Sequence, residues 1–262
     1  MAKVFGESGR FVSSQAVANY WKQLLTFYIG IGVVCLISGI SLGHLWTSRP
    51  QPWLDSIVLF FCLILFLRVS YRFVIRKADA FEQNRLSFMK GAIGEAIVAS
   101  RLANFPDNYF VIHDLSTPFG NLDHVVVGPS GIFVIETKNL KGIISADGHG
   151  GLLINGQPPE KQHAQVLLGR ILDIRKKVEV LCDHELPFIH GLLVFPSARV
   201  EASWGATGSV DCIRDEKLWD YIVESKRGKR LNRRQTESIA KALLALATMD
   251  KQFSSAPPSP GN

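Results

Sequence analysis

The chain has 262 residues, 47% of them apolar, and carries 29 Lys and Arg against 23 Asp and Glu for a formal net charge of +6. That length admits one or two domains, the mean hydropathy of +0.15 argues for membrane segments over a purely soluble chain, and the basic balance suits nucleic acid or lipid headgroups. The four cysteines, Cys35, Cys62, Cys182 and Cys212, share no C-x-x-C spacing, so a zinc ribbon is not indicated.

Met1 to Lys22 is mixed and modestly basic and predicts no fold. Leu24 to Leu42 is an uncharged run long enough for a membrane helix, with Gly30, Gly32 and Gly39 available for close helix packing. A signal peptide is the competing reading, against which stand the length of the run, its lack of a small-x-small end and the second apolar run that follows. That second run, Trp53 to Phe73, is driest from Ile57 to Leu67 and is bounded by Asp55, Arg68 and Arg72. Two core helices of a soluble domain are the alternative, weakened by the absence of a polar face on the first run. Lys3, Arg10 and Lys22 before the pair, with Arg68, Arg72, Arg76 and Lys77 after it, place both termini in the cytoplasm of a multi-pass inner-membrane protein.

Lys77 to Met89 reads as a helical connector. Lys90 to Leu102 has amphipathic spacing, with Ile93, Ala96, Ile97 and Leu102 as its stripe and Gly91 and Gly94 a turn apart for close backbone approach. Asn108 to Leu115 predicts a strand whose end, His113 and Asp114, reads as a turn-former before it reads as a ligand pair.

Asn121 to Asn139 then gives two β-branched runs around Gly128-Pro129-Ser130-Gly131, the pattern of a hairpin. Pro129 cannot take positive φ, so the simplest register pairs Val127 with Ile132 across a type I turn. Carried outward, this register sets Asp123 opposite Glu136. Facing carboxylates repel unless a cation sits between them. Side-chain alternation brings Lys138 onto the face of Glu136, which completes a metal site with a positioned base or charge stabiliser.

Short glycine-punctuated strands follow, with His149 in a turn. Pro158 and Pro159 introduce a helix from Glu160 to Leu181, whose apolar face holds Val166, Leu167, Ile171, Ile174 and Val178 and whose polar positions include Arg170, Arg175, Lys176 and Lys177. Phe188 to Phe195 reads as a buried strand containing a core histidine, His190, and Gly208 to Ile213 as another. Trp204 and Trp219 read as packing residues. Lys226, Arg227, Lys229, Arg230, Arg233 and Arg234 form a basic cluster before a helix near Gln235 to Met249, suited to nucleic-acid backbone, anionic lipid or simple solvation. Ser254 to Asn262 is Pro/Ser-rich and predicts disorder.

The D-(x)12-E-x-K hairpin resembles the core of the PD-(D/E)xK nucleases, and with G-A-I-G-E at Gly91 to Glu95 it resembles the nuclease-related domain (NERD) family in particular. No Pro directly precedes Asp123, so the superfamily's name is not spelled literally here. The resemblance implies a restriction-endonuclease-like α/β domain, a mixed sheet flanked by helices, here preceded by the two-helix transmembrane hairpin. The divisions expected are 1–22, 23–77 for the hairpin, 78–225 for the nuclease-related domain and 226–262 for the basic segment, terminal helix and tail. It further implies Mg²⁺- or Mn²⁺-dependent hydrolysis of nucleic acid, DNA before RNA. Asp123 and Glu136 would be ligands, Glu95 an accessory ligand, Lys138 the water-positioning group, and Gln162 or Gln165, with Gln162 favoured, a phosphate- or water-holding group. The lipid bilayer and further copies of the chain are the other partners expected. A catalytically inactive nucleic-acid-binding or scaffolding module at the membrane is the rival reading.

Overall fold

A computed structural model describes residues 1–6, 21–22, 24–26, 28–33, 36, 39–40, 53–117, 120–147, 151–182, 185–201, 210–224 and 230–254. The chain divides into two compact units, Met1–Phe11 with Lys90–Asn262, and Val12–Met89. In the second unit the described positions from 21 to 40 are helical, and the helix α1, Trp53–Ala103, begins there. Its last turns, from Lys90 on, belong to the first unit.

The transmembrane hairpin expected from the sequence is overturned. Among the described residues no helix is long and apolar enough to cross a membrane. In α1 the uncharged stretch runs only from Ser56 to Leu67, and Arg68, Arg72, Arg76, Lys77, Asp79 and Glu82 follow within the same helix; a bilayer asks for about 20 predominantly apolar residues. Parts of the earlier run, positions 27, 34–35, 37–38 and 41–42, lie outside the described residues, as does the loop 43–52. The multi-pass inner-membrane location, the cytoplasmic assignment of both termini and the bilayer as partner fall with the hairpin, because positive-inside counting has meaning only for a span.

The first unit is a mixed α/β domain. Its main sheet has six strands: β1 (Lys3–Phe5), β2 (Phe110–Thr117), β3 (Gly120–Gly128), β4 (Gly131–Thr137), β7 (Ile189–Val194) and β9 (Val210–Ile213), adjacent in that order. The β2–β3 and β3–β4 pairs are antiparallel, whereas β1–β2, β4–β7 and β7–β9 are parallel. Strands β5 (Gly142–Ala146), β6 (Leu152–Ile154) and β8 (Ala198–Val200) form a separate three-stranded sheet, in the order β6-β5-β8. Among the described residues the α-helices of this unit besides α1 are α2 (His163–Cys182), α3 (Leu218–Ile222) and α4 (Arg233–Ser254).

Alternation along the hairpin sorts the core into two layers. Val125, Val127, Ile132 and Val134 join Leu167, Ile171, Ile174 and Val178 of α2 and Ile239 and Leu243 of α4. Val126, Phe133 and Ile135 turn the other way, onto Val98 and Leu102 of α1 and Leu218 and Ile222 of α3. Every residue of β4 is buried, which explains why its sequence reads as a continuous apolar run with no polar alternation before Glu136. Helices therefore cover both faces of the sheet.

The end of α1 is held by specific contacts. The Asn139 amide donates from Nδ2 to the Lys90 carbonyl at 2.6 Å and accepts at Oδ1 from Ser197 Oγ at 2.5 Å, while Arg101 pairs with Asp215 at 3.2 Å. Of the two glycines expected to allow close approach, only Gly94 does so: a Cβ there would stand 2.7 Å from Asn139 Cβ, whereas one on Gly91 meets nothing within 4 Å. Ala gains about 1 kcal/mol over Gly in a helix interior, and overpacking costs about 1–3 kcal/mol. Gly91→Ala is therefore expected to raise the melting temperature and Gly94→Ala to lower it, in parallel thermal melts.

Candidate active site

Asp123 on β3 and Glu136 on β4 sit just past the end of the paired hairpin. Backbone pairing runs from Gly128–Gly131 through Val127–Ile132 to His124–Ile135, the register expected from the turn. At the next rung Asp123 engages the partner strand through its side chain: the Thr137 N–H donates to Oδ2 at 2.6 Å. Lys138 continues the strand direction, its N–H bonded to the Val194 carbonyl at 2.8 Å. Its Nζ reaches Glu136 Oε1 at 2.7 Å. The other oxygen, Oε2, accepts from Arg170 Nη1 of α2 at 2.9 Å, and the same nitrogen donates to the Asn121 carbonyl at 3.0 Å. Glu136 is only 9% exposed, so both cations neutralise a carboxylate largely withdrawn from water.

Asp123 is in the opposite situation. Burial pushes its carboxyl well above the usual carboxylate range; the Glu136 charge adds to this, Lys138 opposes it, Glu95 adds again and the Thr137 N–H opposes. Glu95, on the last turns of α1, is 5% exposed and so is not the solvent-facing helix glutamate that its position also allowed. Three carboxylates thus share one electrostatic neighbourhood, with Asp123 bearing the strain.

Gln162 and Gln165 are both exposed at the start of α2. Beside them in sequence His163, half-buried, feels the site's charges: its imidazole is held below its ordinary value by burial first, then by Lys138, with Glu136 opposing and Lys161 adding. His163 and Arg170 are therefore the site neighbours that sequence reading missed. Their seven-residue spacing, two helical turns, sets them on one face of α2. The basic cluster is described only in part: Arg230, Arg233 and Arg234 are seen, with Arg233 paired to Glu237 at 3.0 Å, whereas Lys226, Arg227 and Lys229 lie outside the described residues.

His113 and Asp114 are not at the end of β2, which continues to Thr117. Both His113 and His124 are buried and face each other across the β2–β3 pair with Nδ1 atoms 2.7 Å apart. Burial lowers both, His124 strongly; the Asp114 charge opposes this at His113, and the His113 charge adds to it at His124. Asp114 has φ +52°, and its Oδ1 accepts from Asn121 Nδ2 at 2.7 Å. Two neutral imidazoles bridging the strands, with Asn121 tied on one side to Asp114 and on the other to Arg170, brace the edge on which Asp123 stands.

Among the described residues no group of three or more His, Cys, Asp or Glu side chains is gathered as for a metal. The donors at hand are carboxylate oxygens, with an ammonium and a guanidinium already on Glu136. An acid pair, Glu136 buried and Asp123 half-buried, with a lysine two residues beyond the second acid, on a mixed sheet between helices, defines a nuclease-like domain of the PD-(D/E)xK kind. Residues 90–196 match the nuclease-related domain family, and that segment of the chain is a nuclease-related domain. An uncharacterized protein of Bacillus anthracis is 26% identical to the chain over an alignment of 176 residues that covers 63% of this chain and 80% of that relative. No solved structure matches the chain.

Proposed function

We propose that the domain is a divalent-cation-dependent phosphodiesterase acting on nucleic acid. The observation that carries this reading is the asymmetry of the acid pair. Asp123 is raised by burial and by the charges of Glu136 and Glu95, a strain that a cation between the carboxylates relieves. An all-oxygen donor set fits Mg²⁺ or Mn²⁺, and Mg²⁺ is commonly held by one or two carboxylates with water completing its shell. Asp123 and Glu136 would hold the ion, with Glu95 as accessory ligand. Bound there, it supplies charge stabilisation and a more acidic water.

The chain's own groups do the rest. Lys138, fixed by its backbone bond to Val194 and by Glu136, presents an ammonium at the mouth of the acid pair, where it orients the attacking water and balances charge gathering on the phosphoryl oxygens. Gln162 would act at the rim, on substrate phosphate or water.

Arg230, Arg233 and Arg234, with Lys226, Arg227 and Lys229, would track the phosphate backbone. Charge reversal across this cluster is expected to weaken binding and flatten the salt dependence by about one unit per lost phosphate contact, sparing the chemical step at saturating substrate. Filter binding over a salt series reads it.

The rival, a binding module without turnover, has one observation in its favour: both oxygens of Glu136 are already ion-paired. Incubating the full chain with single- and double-stranded DNA and RNA, in Mg²⁺, Mn²⁺ or EDTA, separates the two. Cleavage with either metal and none in EDTA is expected. Binding without cleavage on every substrate and metal would leave the rival standing.

A further inference from the structure

Arg170 has no part in the acid–acid–lysine pattern, yet it is the second cation on Glu136. Its side chain is 19% exposed and rises from a helix anchored by Leu167, Ile171 and Ile174, so its base cannot drift. The stronger arginine–carboxylate clamps are frequently forks, two parallel N–H bonds to two oxygens. Here Nη1 alone serves both Glu136 Oε2 and the Asn121 carbonyl, and Nε is buried without a hydrogen-bond partner. A single-point contact is given up more readily than a fork, and the Asn121 carbonyl remains to seat the guanidinium when it is. The backbone has made room for it: Gly120 has φ +118°, and a Cβ there would lie 2.9 Å from Arg170 Nη2. Asp123, by contrast, receives a backbone N–H and faces two other carboxylates.

We propose that Arg170 is the resident counter-cation of the site, holding Glu136 in the metal-free chain and yielding it to a divalent cation that Asp123 and Glu136 would hold. This rests on the cation reading of the acid pair. A positive charge within a few ångströms of the bound ion lowers the affinity of the site, so removing the charge tightens binding; a merely structural clamp would do the reverse, its loss disordering Glu136 and loosening the site.

The test is calorimetric titration of the full chain with MgCl₂ or MnCl₂ alone, beside thermal melts in EDTA and in millimolar metal. Arg170→Met is expected to bind the cation on the order of 10-fold more tightly than wild type. It should also melt lower in EDTA and gain more on adding metal, while Arg170→Lys, which restores the charge, returns the affinity toward wild type. Arg170→Gln carries the same measurement where the Met variant does not fold. Equal or weaker affinity in the neutral variants, with wild type binding, overturns this inference alone. No binding in any chain overturns the cation reading and this inference with it.

Discussion

Lys138→Ala is expected to lower hydrolysis on the order of 10²-fold or more at saturating substrate while leaving the fold nearly intact and cation binding no weaker, since the change removes a positive charge from beside Glu136. The fold survives because the strand-extending bond is made by the Lys138 backbone to Val194, which alanine keeps. Glu136 loses one counter-ion but retains Arg170 at 2.9 Å, so the buried carboxylate is not left bare. Binding of nucleic acid should fall little, since one cation among many phosphate contacts changes the salt slope by about one unit. What disappears is an ammonium that acts mainly where charge develops, and such groups are worth more in the transition state than in the ground state. Single-turnover rates with saturating substrate check the loss; equal rates for variant and wild type would remove Lys138 from the chemistry.

Asp123→Asn should produce two effects of opposite sign. Hydrolysis is expected to fall on the order of 10³-fold, because a lost ligand forfeits several kcal/mol of charge stabilisation. Metal-free stability at neutral pH should rise instead. Burial and Glu136 raise the Asp123 carboxyl in the folded chain. A raised acid contributes stability that is full below its unfolded value, about 3.9, and is lost as pH rises through the folded value. Asparagine keeps an acceptor for the Thr137 N–H and escapes that loss. Melting in EDTA should thus favour the variant near neutrality and converge with wild type in acid, and adding Mg²⁺ should reverse the order by stabilising wild type alone. A variant that melts below wild type in EDTA at neutral pH would contradict the repulsion on which the site reading depends.

The hairpin was legible because two constraints agreed. Pro129 limited the turn, and the strict two-residue alternation then fixed which residues lie opposite, so the observed Val127–Ile132 pairing followed. The helix at α2 and the strands β2, β7 and β9 were legible from apolar spacing, within a few residues at their ends. β1 was not: three residues, Lys3–Phe5, have too little period to read, and their place beside β2 is set by tertiary pairing. Arg170 and His163 were hidden for another reason. On a helix that reads as amphipathic, a charged residue is assigned to water, and only the arrival of Glu136 from a distant strand turns Arg170 into part of the site. The membrane hairpin was not to be had from the apolar runs, because in α1 Asp55 and Arg68 bracket a stretch too short to cross a bilayer.

The central claim is that Asp123, Glu136 and Lys138 act together on a phosphodiester, and the most direct measurement is cleavage of end-labelled DNA and RNA by the full chain beside its Asp123→Asn, Glu136→Gln and Lys138→Ala variants, in Mg²⁺, Mn²⁺ and EDTA. Metal-dependent cleavage by wild type, absent in EDTA and reduced on the order of 10²-fold or more in all three variants, is the expected result. Cleavage that survives EDTA or persists undiminished in the variants, or no cleavage by wild type under any condition, would contradict it.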